Sequence, residues 1–185
     1  MAVVGMIVND ASSPYTIGDT PIEERLRITL GHTMFFLDST GGETAATVDS
    51  WVTANSIALV VVTSSNVLTN IDDDIFDALA TPVLHLEGYT WDDDLFATSG
   101  KTGETGSTYS SVTIQDSAHP IANGETGATT VLTTAKKMNR IRDGYEATGV
   151  NVIATAGTST DTVVWAIETG EALSDASTAP ARRAG

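Results

Sequence analysis

The six-residue run Ile57-Ala58-Leu59-Val60-Val61-Val62 constrains this chain more than any other stretch. A strand with one wet face alternates apolar and polar residues, whereas an unbroken β-branched run fits a strand covered on both faces. Val3–Val8 reads as a similar buried strand, Thr33–Leu37 as the second and Pro82–Leu86 as the fourth. Helical spacing fills the intervals. A loop with Ser12, Ser13, Pro14 and Gly18 leads to Thr20 and Glu23, which have capping-box spacing, with Pro21 at the first helical position. Ile22, Leu26 and Leu30 form one apolar stripe, and Gly31 suits the C-terminal cap. Ala45, Val48, Trp51 and Val52 mark a short second helix. Leu68, Ile71, Ile75 and Leu79 mark a third over Asn66–Leu79, with Asp72, Asp73 and Asp74 mostly on its opposite side. Such alternation implies a parallel sheet with right-handed crossovers.

The texture changes after Trp91. Ala97–Ser111 is rich in Gly, Ser and Thr and reads as a surface loop. Ser111–Ile114, Thr130–Thr134, Asn151–Ala154 and Thr162–Ile167 read as strands, with Gly157–Asp161 joining the last two. Ala135–Glu146 permits either a short helix or a loop. At 185 residues the chain is long enough for one domain with a real core. No apolar run reaches the ~20 residues that span a bilayer, and Met1–Val8 lacks the basic flank of a signal peptide, so neither membrane nor leader is expected.

Charge and cysteine content narrow the chemistry. The formal charge is −15, from 24 acidic and 9 basic residues. That field opposes phosphate backbones, so no nucleic-acid partner is expected. It suits a salt-rich setting or simply an acidic, soluble protein. There is no cysteine, which excludes disulfides, thiolate metal sites and cysteine nucleophiles.

Several stretches, in order, resemble the amidotransferase-like domains related to the trehalose-utilisation (ThuA-like) group. They are Ala58–Val67, Thr81–Tyr89, Trp91–Asp94, Val112–Ile121 and Ala179–Arg183, so the likeness covers most of the chain. The resemblance implies a class I glutamine-amidotransferase-like α/β fold. That fold is a flavodoxin-like three-layer sandwich with a mainly parallel sheet, here with a strand-rich C-terminal half, spanning residues 1–185 as a single domain. In catalytic relatives the turn after the fourth strand presents a cysteine; here it carries Glu87-Gly88, so thiolate chemistry on glutamine is unavailable. The Gly-x-Ser-x-Gly elbow of serine hydrolases is absent too.

In open parallel α/β sheets, ligands bind beyond the carboxyl ends of the strands, near the point where strand order reverses. Candidate ligand-binding residues there are Asn9, Ser64, Ser65, Glu87, Tyr89 and Trp91, the aromatic pair serving as a wall for a sugar or other neutral polar ligand. In an enzyme, Glu87 and His119 would be the acid/base pair. Each has a structural alternative: Ser65 and Asn66 as helix caps, Glu87 as a turn carboxylate, His119 before Pro120 as a turn residue, and His85 as a core histidine. Asp92-Asp93-Asp94 is a weak candidate for a hard cation, lacking the Asp-x-Asp-x-Asp-Gly loop. The three histidines have no zinc spacing, and no cofactor motif occurs.

Two function classes follow. The first is a non-catalytic structural or interaction module of a larger assembly, a virion shell or decoration component being one concrete form, with protein subunits (self or other) as partners. The second is a carbohydrate-related enzyme or sugar-binding domain. In relatives, a strand and a closing helix follow the stretch that Ala179–Gly185 resembles. The expectation here is therefore an open sheet edge near Thr162–Ile167, or an Arg182-Arg183 tail that either meets a neighbour or stays solvated and frayed.

Overall fold

The computed structural model describes residues 1–9, 19–65 and 75–185. They form two compact units, residues 1–87 with 180–183 and residues 88–179 with 184–185.

In the first unit, β1 (Val3–Val8), β2 (Thr33–Asp38), β3 (Leu59–Val62) and β4 (Val83–His85) lie in the order β2-β1-β3-β4, and each neighbouring pair is parallel. Side chains alternate across this sheet. Ile7, Val60, Val62 and Val83 face a core with Val48 and Val52 of helix α2 (Ala45–Ala54) and with Phe76 and Leu79. Thr44 caps α2, its Oγ1 accepting from Thr47 N at 3.3 Å. Trp51 of the same helix lies against β1, where a Cβ at Gly5 would stand 2.4 Å from the ring. On the other face Val4, Met6, Val8 and Val61 are buried, and Ile22, Leu26, Leu84 and Leu86 pack half-buried against them.

The first helix departs in detail from its expected capping. α1 (Thr20–Glu24) has Asp19, not Thr20, at the N-cap, and continues as a π-helical turn over Arg25–Thr29. Glu23 pairs with Arg27 one turn on instead of reaching back to close a capping box. Gly31 has a φ of +72°, the left-handed conformation foreseen for a helix end. Most of the helix expected over Asn66–Leu79, with Asp72, Asp73 and Asp74, lies outside the described residues; Ile75–Ala78 form turns.

The tail is not frayed, and of its two arginines Arg182 is exposed while Arg183 is buried. Arg183 is 1% exposed, and its guanidinium donates to the carbonyls of Phe76 (2.8 Å), Leu79 (2.6 Å), Thr81 (3.0 Å), Ala181 (3.2 Å) and Arg182 (3.2 Å). The Arg182 carbonyl accepts from Val83 N at 3.1 Å, beside β4. An arginine can be buried this way because five fixed N–H donors find acceptors around one plane.

The second unit is antiparallel. β9 (Val150–Ala156) pairs with β10 (Thr162–Ile167) and with β6 (Ser111–Ile114), and β6 pairs with β7 (Gly127–Thr130). β8 (Asn139–Ile141) joins β10 to β5 (Thr102–Glu104). Beyond the short strand β11 (Arg183–Ala184), Gly185 exchanges two backbone bonds with Trp165, of 3.0 and 3.2 Å, so β10 is flanked and not an open edge. Trp165, Trp91, Phe96 and Ile167 form the core, with the two indoles edge-to-face at 5.4 Å.

This corrects the expected three-layer sandwich. Such a fold needs helices on both faces of a mostly parallel sheet. The structure has eleven strands, with parallel pairing in the first unit and antiparallel pairing in the second, and α-helices of only 5 and 10 residues among the described residues. The physical reason lies in the later sequence, where Thr- and Gly-rich segments carry no apolar stripe at helical spacing and close instead into short strands and turns. The strand expected at Thr130–Thr134 sits at Gly127–Thr130, Ala135–Glu146 holds β8 and turns, and the expected loop at Ala97–Ser111 contains β5.

Candidate functional site

Strand order in the first unit reverses between β1 and β3, and the polar ends of these strands meet there. Ser65 Oγ donates to Asp19 Oδ2 at 2.6 Å, lies 2.8 Å from Thr63 Oγ1 and 3.4 Å from Asn9 N, which donates to it. Thr63 Oγ1 also reaches the Ile7 carbonyl at 3.2 Å. A hydroxyl has one hydrogen, so Ser65 gives its own to the carboxylate and accepts from Asn9 N, while Thr63 has one hydrogen to share between the Ser65 oxygen and the Ile7 carbonyl. Asp19 is 1% exposed, and its charge-assisted bond to Ser65 ties the start of α1 to the end of β3. Asn9 and Ser65, both candidate ligand-binding residues, are thus bonded to each other. Asp19 carries no local sequence signal for this role, because its partner Ser65 lies 46 residues on.

Glu87 follows β4 just as Ser64 and Ser65 follow β3, with Val62 opposite His85 in the register and Leu86 N bonded to the Val62 carbonyl at 2.9 Å. Glu87 is buried and Ser64 is exposed. His85 is fully buried, its ring edge-on to Phe76 at 5.4 Å, in keeping with a core histidine. Residues 10–18 and 66–74, including Asn66, lie outside the described residues.

The remaining candidates belong to the second unit. Tyr89 is 47% exposed, with its ring over the backbone of Gly103. Trp91 is 2% exposed and packed in the core against Trp165, so it offers no face to a ligand, which corrects its assignment as an aromatic wall. Asp92 accepts from Gly100 N and Thr102 Oγ1, organising the turn that leads into β5. Asp94 is buried and Asp93 exposed. Among the described residues no group of three or more His, Asp or Glu side chains is placed to hold a metal ion.

His119 sits at the N-cap of a 3-10 turn, Pro120–Ala122, where its Nδ1 accepts from Ile121 N at 3.2 Å. Its Nε2 lies 3.7 Å from Glu168 Oε1. The bond at Nδ1 is that of a turn residue and leaves Nε2 directed toward Glu168. Asp116 supports the same turn. The Asn151 amide, at 3.0 Å, holds its carboxyl below the ordinary 3.8, aided by the N–H groups of Ala118 and His119. The unfolded chain therefore takes up the proton first as pH falls, so this contribution is complete above 3.8 and is lost as pH drops through the lower folded value. Asp116→Asn is expected to lower the urea midpoint at neutral pH, and the gap from wild type should close in acid. A gap that stays constant with pH would contradict this role.

No protein-family model matches the chain, and no curated protein matches it.

Proposed function

We propose that this chain is a non-catalytic structural module of a larger protein assembly, a shell or decoration component of a virion being its concrete form. One observation carries the proposal. β2 is an edge strand of the first unit: among the described residues it pairs with β1 alone. Its run Met34-Phe35-Phe36-Leu37 holds no charge, proline or glycine, and Phe35 is 37% exposed. Edge strands of free monomers are normally guarded by lysine, proline or a bulge, and this run carries no lysine or proline. The tight internal bonding of Ser65 and Asp19, and the turn role of His119, fit a module that holds shape more than one that turns over substrate.

Association should respond to salt in a defined direction. Like-charged copies of −15 repel, so native mass measured by light scattering should rise with concentration and rise further as salt screens the repulsion. Phe35→Lys, which charges the exposed edge, should shift the distribution back to monomer without unfolding the chain. A wild-type chain that stays monomeric from micromolar to millimolar concentration at every salt level would remove the proposal.

A further inference from the structure

We infer that the second unit carries a binding site for a small neutral polyhydroxy ligand, in an open cleft of about 370 Å³ beside β9 and β10. This goes beyond the assembly role, does not depend on it, and uses neither Glu87 nor His119. The volume falls in the ~300–1,000 Å³ range of small-molecule sites. The wall combines two carboxylates, Asp143 and Glu146, with the Gln115 amide and the hydroxyls of Thr155, Ser159 and Thr160.

Several of these groups are already oriented. Fully buried Thr162 donates its Oγ1 to Glu146 Oε1 at 2.6 Å, which fixes the carboxylate. Gln115 Nε2 bonds Thr155 Oγ1 at 3.1 Å. Ser159 Oγ accepts from Asp161 N at 3.1 Å, and Asp161 in turn neutralises Arg140 at 2.6 Å, both side chains 17% exposed. Oriented groups of this kind lose little freedom when a ligand arrives.

The chemistry of the wall selects the ligand. Among the described residues no lysine or arginine lines the cleft, so an anion would meet two carboxylates with no counter-charge. No group of three or more His, Asp or Glu side chains is placed to hold a metal ion among the described residues, and calcium is run as a competing probe. Hydroxyls that both give and accept, beside carboxylates that accept, are matched by a molecule whose every polar group also does both. That molecule is a polyol or a short saccharide, and Val152 offers a small apolar contact for a ring face.

The direct test is a 15N–1H NMR titration of the whole chain with glucose, galactose, mannitol, maltose and lactose, with putrescine and calcium chloride run separately. At least one of the five polyhydroxy probes should give saturable shifts at the amides of Gln115, Glu146, Thr155 and Thr160, with dissociation in the millimolar range. Asp143→Asn, on an exposed turn, and Glu146→Gln should each weaken that binding about tenfold, the loss expected for one charged hydrogen bond. The inference is overturned if none of the five saturates these amides, if Asp143→Asn binds as wild type does, or if only putrescine or calcium produces the shifts.

Discussion

Arg183→Met should be among the most destabilising single substitutions in this protein, lowering the stability of the first unit by about 3 kcal/mol or more. Methionine fills much of the volume but leaves the carbonyls of Leu79 and Thr81 without the guanidinium donor that now reaches them, while the Phe76 carbonyl keeps only Leu79 N. Each acceptor stranded in a buried place costs ~1–3 kcal/mol, partly relieved by relaxation and water entry. Arg183→Lys should recover only a fraction, because an ammonium is a point donor and cannot span a planar fan of acceptors. Arg182 is the internal control. It is exposed, and Arg182→Ala should change stability by no more than ~0.5 kcal/mol. Urea unfolding followed by the fluorescence of Trp51, the first unit's own tryptophan, reads this locally. Equal effects at the two arginines would contradict the assignment.

In the second unit the largest effect is expected at Trp165. Trp165→Ala removes a fully buried indole that touches Trp91 edge-to-face and Phe96 at a centroid distance of 4.7 Å. A loss of about 3–5 kcal/mol is expected for such a truncation. Trp165→Phe should cost far less than the difference in ring size suggests. The indole Nε1 is buried with no acceptor among the described residues, so phenylalanine gives up volume and also removes an unsatisfied donor. Thermal unfolding of both variants, followed by near-ultraviolet circular dichroism, separates the two contributions. If Phe is as damaging as Ala, the buried N–H has a partner and the account of this core is wrong.

Where the sequence could be read, a strong local signal stood alone. Val3–Val8, Ser111–Ile114 and Thr162–Ile167 are strands with the bounds their β-branched composition indicates. The parallel pairing of the first unit also followed, because helical spacing between apolar strands leaves few ways to return the chain. What could not be read depended on distant partners. β5, β8 and β11 are two or three residues long and hold Gly, Arg or Asn; only their neighbours make them strands. Trp91 was taken for a ligand wall because an aromatic residue after a strand looks alike in a cleft and in a core, and only packing against Trp165 decides. The likeness to a helix-layered fold failed for a related reason: short motifs fix strand ends and turns, not what covers the sheet. At the strand ends, the switch-point rule pointed to Asn9 and Ser65 as ligand candidates; the structure bonds them to each other, and Asp19 joins Ser65 through a contact 46 residues away in sequence.

The closure of the first unit by Pro180–Arg183 has a consequence for how the chain folds as it is made. Its bonds from Arg183 to Phe76 and Leu79 join residues 107 and 104 positions apart. Drawing together the ends of so long a flexible segment costs about 4 kcal/mol of chain entropy when nothing has ordered between them. If the second unit has already folded, its own structure shortens that search. The order of events should then be inverted relative to synthesis: the amino-terminal strands emerge first but reach their final stability last, after the intervening residues have compacted. Until then the side of β4 that Arg182 covers stays presented to other chains, which makes the interval before closure the period of greatest aggregation risk.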